Sequence, residues 1–232
     1  MSDIAVALSA MESSLCSQID LGGLFTRNPI AHKWKAPWRT LLLRESVAWR
    51  LHDLLNQSNL LTRQDHLLGA RILLRSAFET LAVLIYLNRS LRSVVAGRLD
   101  FHEFSTTTSK LLFGSRNKTT RYDQVNILTV IKSSDKSYPG LYKLYEDLSE
   151  SAHPNCDGML RGYSTSDPRN HVTNFENKWV KRFGESNEDG ILACLSVFID
   201  EYDKESIDAF EALENWITVN DQQLEATKPT PE

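Results

Sequence analysis

The stretch Leu67–Leu87, LLGARILLRSAFETLAVLIYL, is apolar on nearly every side yet carries Arg71, Arg75 and Glu79 at consecutive i, i+4 steps. In a helix all three project from one face. A helix apolar all round belongs in the middle of a bundle. Ionised groups there cost several kcal/mol each unless they are paired or line a wet cleft. The rest of the chain must therefore bring partners to this ridge or leave a pocket beside it. The run is long enough for a membrane span, but its three charges make insertion expensive, and no membrane association is expected.

The 232 residues are enough to bury a sizeable core. Cys16, Cys156 and Cys194 are odd in number and widely spaced. That argues against a disulfide framework or a zinc site on paired thiolates, and suits a reducing cytoplasm. The start, MSDIAVALSAMESSL, has no basic n-region, so no signal peptide is expected and the chain reads as cytoplasmic. The net charge of −4 is uneven: seven basic against two acidic residues over Arg89–Arg121, then ten acidic residues against Lys204 alone over Glu185–Glu214. Such asymmetry fits a polyanion-binding face, complementary faces in a homodimer, or simply two solvated helix surfaces.

Apolar periodicity predicts a helix over 3–19, ended by Gly22–Gly23, and a loop over Thr26–Lys35. A second helix runs from Pro37 to Gln57, broken at Ser58–Asn59. Thr62 and Asp65 form a capping-box-like start to the central helix, which extends to Arg89. Further helices are expected over most of Ser90–Phe113, over Tyr122–Lys132 and from Gly140 to His153, where Pro154 stops the last of them. Residues 154–178 alternate weakly around Ser166–Asp167–Pro168–Arg169, as in a polar loop or small β-hairpin. Ser186 and Asp189 would cap a final helix, Glu188 to Val219, and 221–232 reads as a disordered tail. The expectation is an all-α, single-domain antiparallel bundle over 1–220, with six or seven helices and one elaborated loop.

Two patterns carry possible chemistry: Arg71-x3-Arg75-x3-Glu79, and Ser149-Glu150-Ser151-Ala152-His153-Pro154-Asn155 at a helix C-terminus. His153, near the negative end of the macrodipole, would have its protonated form favoured. If the two helices pack together, Arg71, Arg75, Glu79 and His153 could act on a phosphodiester. Histidine would move the proton, arginine would stabilise the phosphorane charge and the carboxylate would orient one of them, with no metal or cofactor required. Ser149, Asn155 and Glu45 are the candidate substrate-binding residues. The alternatives are a buried Arg75–Glu79 ion pair of purely structural role, and a non-catalytic small-anion or RNA pocket. No P-loop, GxSxG, CxxC pair or HExxH is present. Phe101, Phe104 and Phe113, within the basic stretch, fall at core-like helical spacing.

The run ARILLRSAFETLAVLIYL, followed later by YEDLSESAHPN, resembles uncharacterised bacterial helical proteins with an Arg-x3-Glu on a central helix and a Ser-x3-His-Pro at a later helix end. These lie in the neighbourhood of the HEPN-like (higher eukaryote and prokaryote nucleotide-binding) bundles. The resemblance covers residues 40–90 and 140–156. It implies a helical protein of a bacterial stress or defence system that binds or cleaves RNA, or a non-enzymatic, dimeric interaction module. HEPN ribonucleases share an Arg-x4–6-His motif near their last helices. No Arg–His pair of that spacing is found in this chain: Arg98 to His102 has three intervening residues, Arg44 to His52 seven and Arg63 to His66 two, so Arg75, Glu79 and His153 are expected to stand in its place.

Overall fold

The computed structural model describes residues 3–229. The order of elements is α1 (Asp3–Ser14), α2 (Leu21–Arg27), α3 (Pro29–His32), α4 (Lys35–Arg63), α5 (Leu67–Val95), α6 (Phe101–Phe113), α7 (Ile127–Ser134), α8 (Leu141–Ala152), α9 (Arg161–Tyr163), β1 (Ser164–Asp167), β2 (Val172–Phe175), α10 (Trp179–Asp200) and α11 (Ser206–Ala226). π-helical turns occupy Cys156–Leu160 and Glu201–Glu205. The described chain is all-α apart from one small hairpin, in which β1 and β2 pair antiparallel from Ser164–Phe175 to Asp167–Val172. No helix among the described residues is long and apolar enough to cross a membrane.

Several helix boundaries differ from the sequence expectation, each for a local reason. Gly22 and Gly23 lie inside α2, because the Asp20 side chain accepts from the Gly23 amide and caps its start. Thr26–Lys35 is mostly helical, with Asn28 capping α3 and Pro29 in its first turn. Ser58 and Asn59 do not break α4: the Ser58 hydroxyl donates to the Ala70 carbonyl, and Thr62 donates back to the Ser58 carbonyl instead of capping α5. Asp65 forms the turn with φ of 62°. The final helix begins at Trp179, with Asn177 accepting from the Trp179 amide, and it is interrupted by the second π turn. The expected tail is helical to Ala226 and Leu224 is buried; Thr230–Glu232 lie outside the described residues.

The chain forms two compact units. Unit 1 comprises α1, Arg50–Leu81 and Tyr138–Val197. In it Trp179, Leu67 and Ala70 make a buried cluster with Leu61 and Phe183 against it. Gly162 is required here, since a Cβ would stand 2.7 Å from Trp179 Nε1. Unit 2 comprises Leu15–Trp49, Ala82–Ser137 and the described residues from Phe198 on. Its core joins Trp34, Leu87, Leu91, Phe101, Phe104, Leu213 and Ile217. Trp34 meets Phe101 edge-on at 5.3 Å and donates from Nε1 to Asp221, while Lys33 pairs with Asp221 and Glu225, fastening α3 to α11.

Candidate functional site

In unit 1 the polar ridge of α5 divides into two separate clusters. Arg75 pairs with Glu79 at 3.2 Å, and Tyr145 of α8 closes the pair by accepting from Arg75 Nη2 and donating to Glu79 Oε1, both at 3.1 Å. Arg71, only 4% exposed, has no carboxylate partner among the described residues. Its Nε donates to Ser151 Oγ at 2.8 Å, while Nη1 and Nη2 make long contacts of 3.4 Å to Ser186 Oγ and the Asp147 carbonyl. Its guanidinium lies 4.2 Å from the Phe183 ring centroid. Burial pushes its pKa down to about 10, an effect that Asp157 and Asp147 oppose. A cleft of about 460 Å³ opens beside Arg71, lined also by Asp147, Glu150, Asp157 and Arg182.

His153 does not join this cleft. It is the C-cap of α8, exposed and extended, and its imidazole makes no hydrogen bond or ion pair with Arg71, Arg75 or Glu79. The following Pro154 and the tight turn to Asn155, whose amide donates to the His153 carbonyl, hold the backbone there. The structure engages the other expected ligand residues elsewhere. Asn155 spends its side chain capping the first π turn and donating to Glu150. The Ser149 hydroxyl is enclosed without a partner and does not line the cleft. Glu45 belongs to unit 2, where it pairs with Arg44 and accepts from the Tyr202 hydroxyl at 2.6 Å. The combination of guanidinium, carboxylate and imidazole does not form around α5.

It forms in unit 2. Arg27 is the last residue of α2 and His32 the last of α3, and the Asn28 cap with Pro29 between them sets the turn. That turn brings both side chains onto Glu214 of α11: Arg27 Nη2 and His32 Nε2 converge on the same oxygen, Oε1, the histidine at 2.5 Å. The Glu214 and His32 side chains are 7% and 5% exposed, whereas Arg27 is 58% exposed. His32 Nδ1 has no hydrogen bond among the described residues, and the ring lies 6.3 Å from Phe210. Asn28 is fixed from the other side by donation to Thr218 Oγ1 at 3.1 Å. Beside Arg27 and Glu214 is a cavity of about 550 Å³, lined by these two residues, Arg44, Thr40 and Asn88 with apolar walls from Leu41, Leu91 and Phe210; His32 stands behind Glu214 and does not line it.

Arg27–His32 is an Arg-x4-His spacing and corrects the expectation that the chain holds none, although it lies far from the last helices where the resemblance places the motif. The spacing was the available signal for this pair. Nothing in the sequence marks Glu214, 182 residues beyond His32, as their partner.

The uneven charge resolves into pairs and exposed groups. Arg92 pairs with Glu205 and Arg89 donates to the Ser133 carbonyl, while Arg98, Lys110, Arg116, Lys118 and Arg121 are exposed. Phe101 and Phe104 are buried, as their spacing predicts, and Phe113 stacks on Tyr122. Among the described residues no group of three or more His, Cys, Asp or Glu side chains is placed to hold a metal ion. Comparison of this chain with protein-family models, curated proteins and solved structures gave no match.

Proposed function

We propose that this chain is an HEPN-like protein of a bacterial stress or defence system that acts on RNA, with its phosphodiester chemistry at Arg27, His32 and Glu214. The observation that carries the reading is the convergence of Arg27 and His32 on one enclosed carboxylate beside a 550 Å³ cavity. In this reading the His32 ring, held through Nε2 on Glu214, turns toward the cavity mouth beside Arg27 and takes the proton of a ribose 2′-hydroxyl at Nδ1. The 2′-oxygen attacks phosphorus, the exposed Arg27 guanidinium meets the charge on the non-bridging oxygens, and the 5′-oxygen departs, protonated by water. Glu214 acts as the positioning residue, and the scheme requires no metal. The exposed Arg116, Lys118 and Arg121 of the same unit supply backbone-binding charge.

The test is cleavage of a fluorophore-labelled single-stranded RNA by wild type, His32→Ala, Arg27→Ala and His153→Ala, with each variant's Tm recorded. His32→Ala and Arg27→Ala should lose about a hundredfold or more in rate, while His153→Ala matches wild type. Equal rates for folded wild type and His32→Ala, or no cleavage by any of them, would reject the assignment. A second reading is a non-enzymatic homodimeric module in which the Arg75–Glu79–Tyr145 cluster is structural, its three side chains bonding one another through Arg75 Nη2, Glu79 Oε1 and the Tyr145 hydroxyl. Under it wild type sediments as a dimer and the His32 variant changes only in Tm.

A further inference from the structure

Arg71 is a guanidinium that folding has enclosed and left without a counter-ion among the described residues. Its firm bond is to a neutral hydroxyl, Ser151 Oγ, and its two terminal nitrogens hold only 3.4 Å contacts. The carboxylates nearest in effect are taken by other cations: Asp157 by Arg182 at 2.5 Å, and Asp147 by Lys143 at 2.8 Å. Buried charges in folded proteins are ordinarily paired. This one lines a cleft, so a ligand can supply the missing charge, and a planar fork with two lightly used nitrogens matches a carboxylate.

The rest of the lining restricts what that ligand can be. Asp147, Glu150 and Asp157 outnumber Arg71 and Arg182 around the cleft. A polyanion or a multiply charged phosphate would meet like charge on entering. A ligand with one carboxylate for Arg71 and one ammonium for the acidic side suits both halves. Glu150 is the natural ammonium partner, because among the described residues its side chain bonds only the neutral Asn155 amide. Leu74, Phe78, Leu144 and Leu148 form the apolar wall. We propose that this cleft binds a free α-amino acid with an apolar side chain, its carboxylate on Arg71 and its ammonium toward Glu150. The site lies wholly in unit 1 and is independent of the RNA reading.

The experiment titrates the full chain by calorimetry with L-leucine, L-methionine and L-phenylalanine. N-acetyl-L-leucine, L-leucinamide and inorganic phosphate serve as comparison ligands. At least one free amino acid should bind with submillimolar Kd, and its N-acetyl and amide forms should bind at least tenfold more weakly. Glu150→Gln, a substitution at an exposed position, should weaken the amino acid severalfold and leave N-acetyl-L-leucine unchanged. Arg71→Lys, which keeps the charge but not the fork, should weaken the amino acid about tenfold. Absence of binding by all three amino acids, equal affinity for phosphate or N-acetyl-L-leucine, or an unaltered affinity in Glu150→Gln would each overturn the proposal.

Discussion

Replacing Glu214 by Gln removes one charge and almost no volume, so its effect isolates the electrostatic part of the Arg27–His32–Glu214 group. A hydrogen bond to a charged group contributes about 1.5–3 kcal/mol where it is enclosed. The His32 bond qualifies, since both side chains are below 8% exposure. The Arg27 bond is largely screened at 58% exposure and adds under about 1 kcal/mol. Glutamine keeps an acceptor oxygen, so the expected loss is about 2 kcal/mol, or a Tm lower by about 4–8 °C for a chain of this length. Differential scanning calorimetry of wild type, His32→Ala, Glu214→Gln and the double variant gives the answer. The pair should show a coupling energy of about 1–2 kcal/mol. A Glu214→Gln melt within about 1 °C of wild type, or effects that simply add in the double variant, would falsify the claim that the histidine and carboxylate act as a unit.

Four further outcomes are expected. Gly158→Ala should cost about 2–3 kcal/mol in urea unfolding, because its Cβ would stand 2.2 Å from the His153 carbonyl oxygen and 2.6 Å from that of Ser151; a neutral result would contradict the close approach of the π turn to α8. Thr40→Val should be neutral or raise Tm, since the Thr40 hydroxyl is enclosed without a partner, and a clear loss of stability would reveal a bond it makes in solution. Hydrogen bonds from Lys33, and for Asp221 also from Trp34, hold the Asp221 and Glu225 carboxyls below their ordinary range. Their contribution is therefore complete above the unfolded carboxylate pKa and is lost as pH falls through the lowered folded values. Tm should drop more steeply below about pH 4 in wild type than in Asp221→Asn. Cys156 is exposed whereas burial pushes the Cys194 thiol well up, so a thiol reagent should label Cys156 in the folded protein and reach Cys194 only in denaturant.

Much of the helical framework was legible because its signals are local. The stripe Leu141, Tyr145, Leu148 and the stop at Pro154 describe α8 to within a residue at each end. The hairpin around Asp167–Pro168 sits within the one segment whose periodicity fails. The boundaries that moved depend on partners distant in sequence or on competing local caps. Ser58 reads as a breaker until its hydroxyl finds the Ala70 carbonyl. Gly22–Gly23 reads as a terminus until Asp20 supplies the cap. The π turn at Glu201–Glu205 has no sequence signature. It places Glu201 where its carboxylate accepts from Asn88, and Ser206 completes that buried network from the far side.

The sequence reading placed a guanidinium, a carboxylate and an imidazole on α5 and α8, whereas the structure brings such groups together at Glu214, and the reason lies in how helices present side chains. An i, i+4 Arg–Glu pair is visible because it is local, and for the same reason it forms at little cost in chain entropy. Such pairs contribute a few tenths of a kcal/mol and recur on helix faces with no function attached. Arg75–Glu79, joined by Tyr145, is of that kind, with the carboxylate still 26% exposed. Glu214 is the opposite case. It collects a guanidinium and an imidazole from 187 and 182 residues away, and its side chain is enclosed as it does so. An arrangement of that kind forms only when the core of unit 2 fastens α3 to α11 through Trp34, Lys33 and Asp221. Loosening that fastening with Trp34→Phe, which keeps an aromatic ring but deletes the Asp221 bond, should therefore lower Tm and, under the proposed function, RNA cleavage with it. The same substitution should leave amino-acid binding in unit 1 untouched. Loss of both activities together would mean that the two sites share one folding unit.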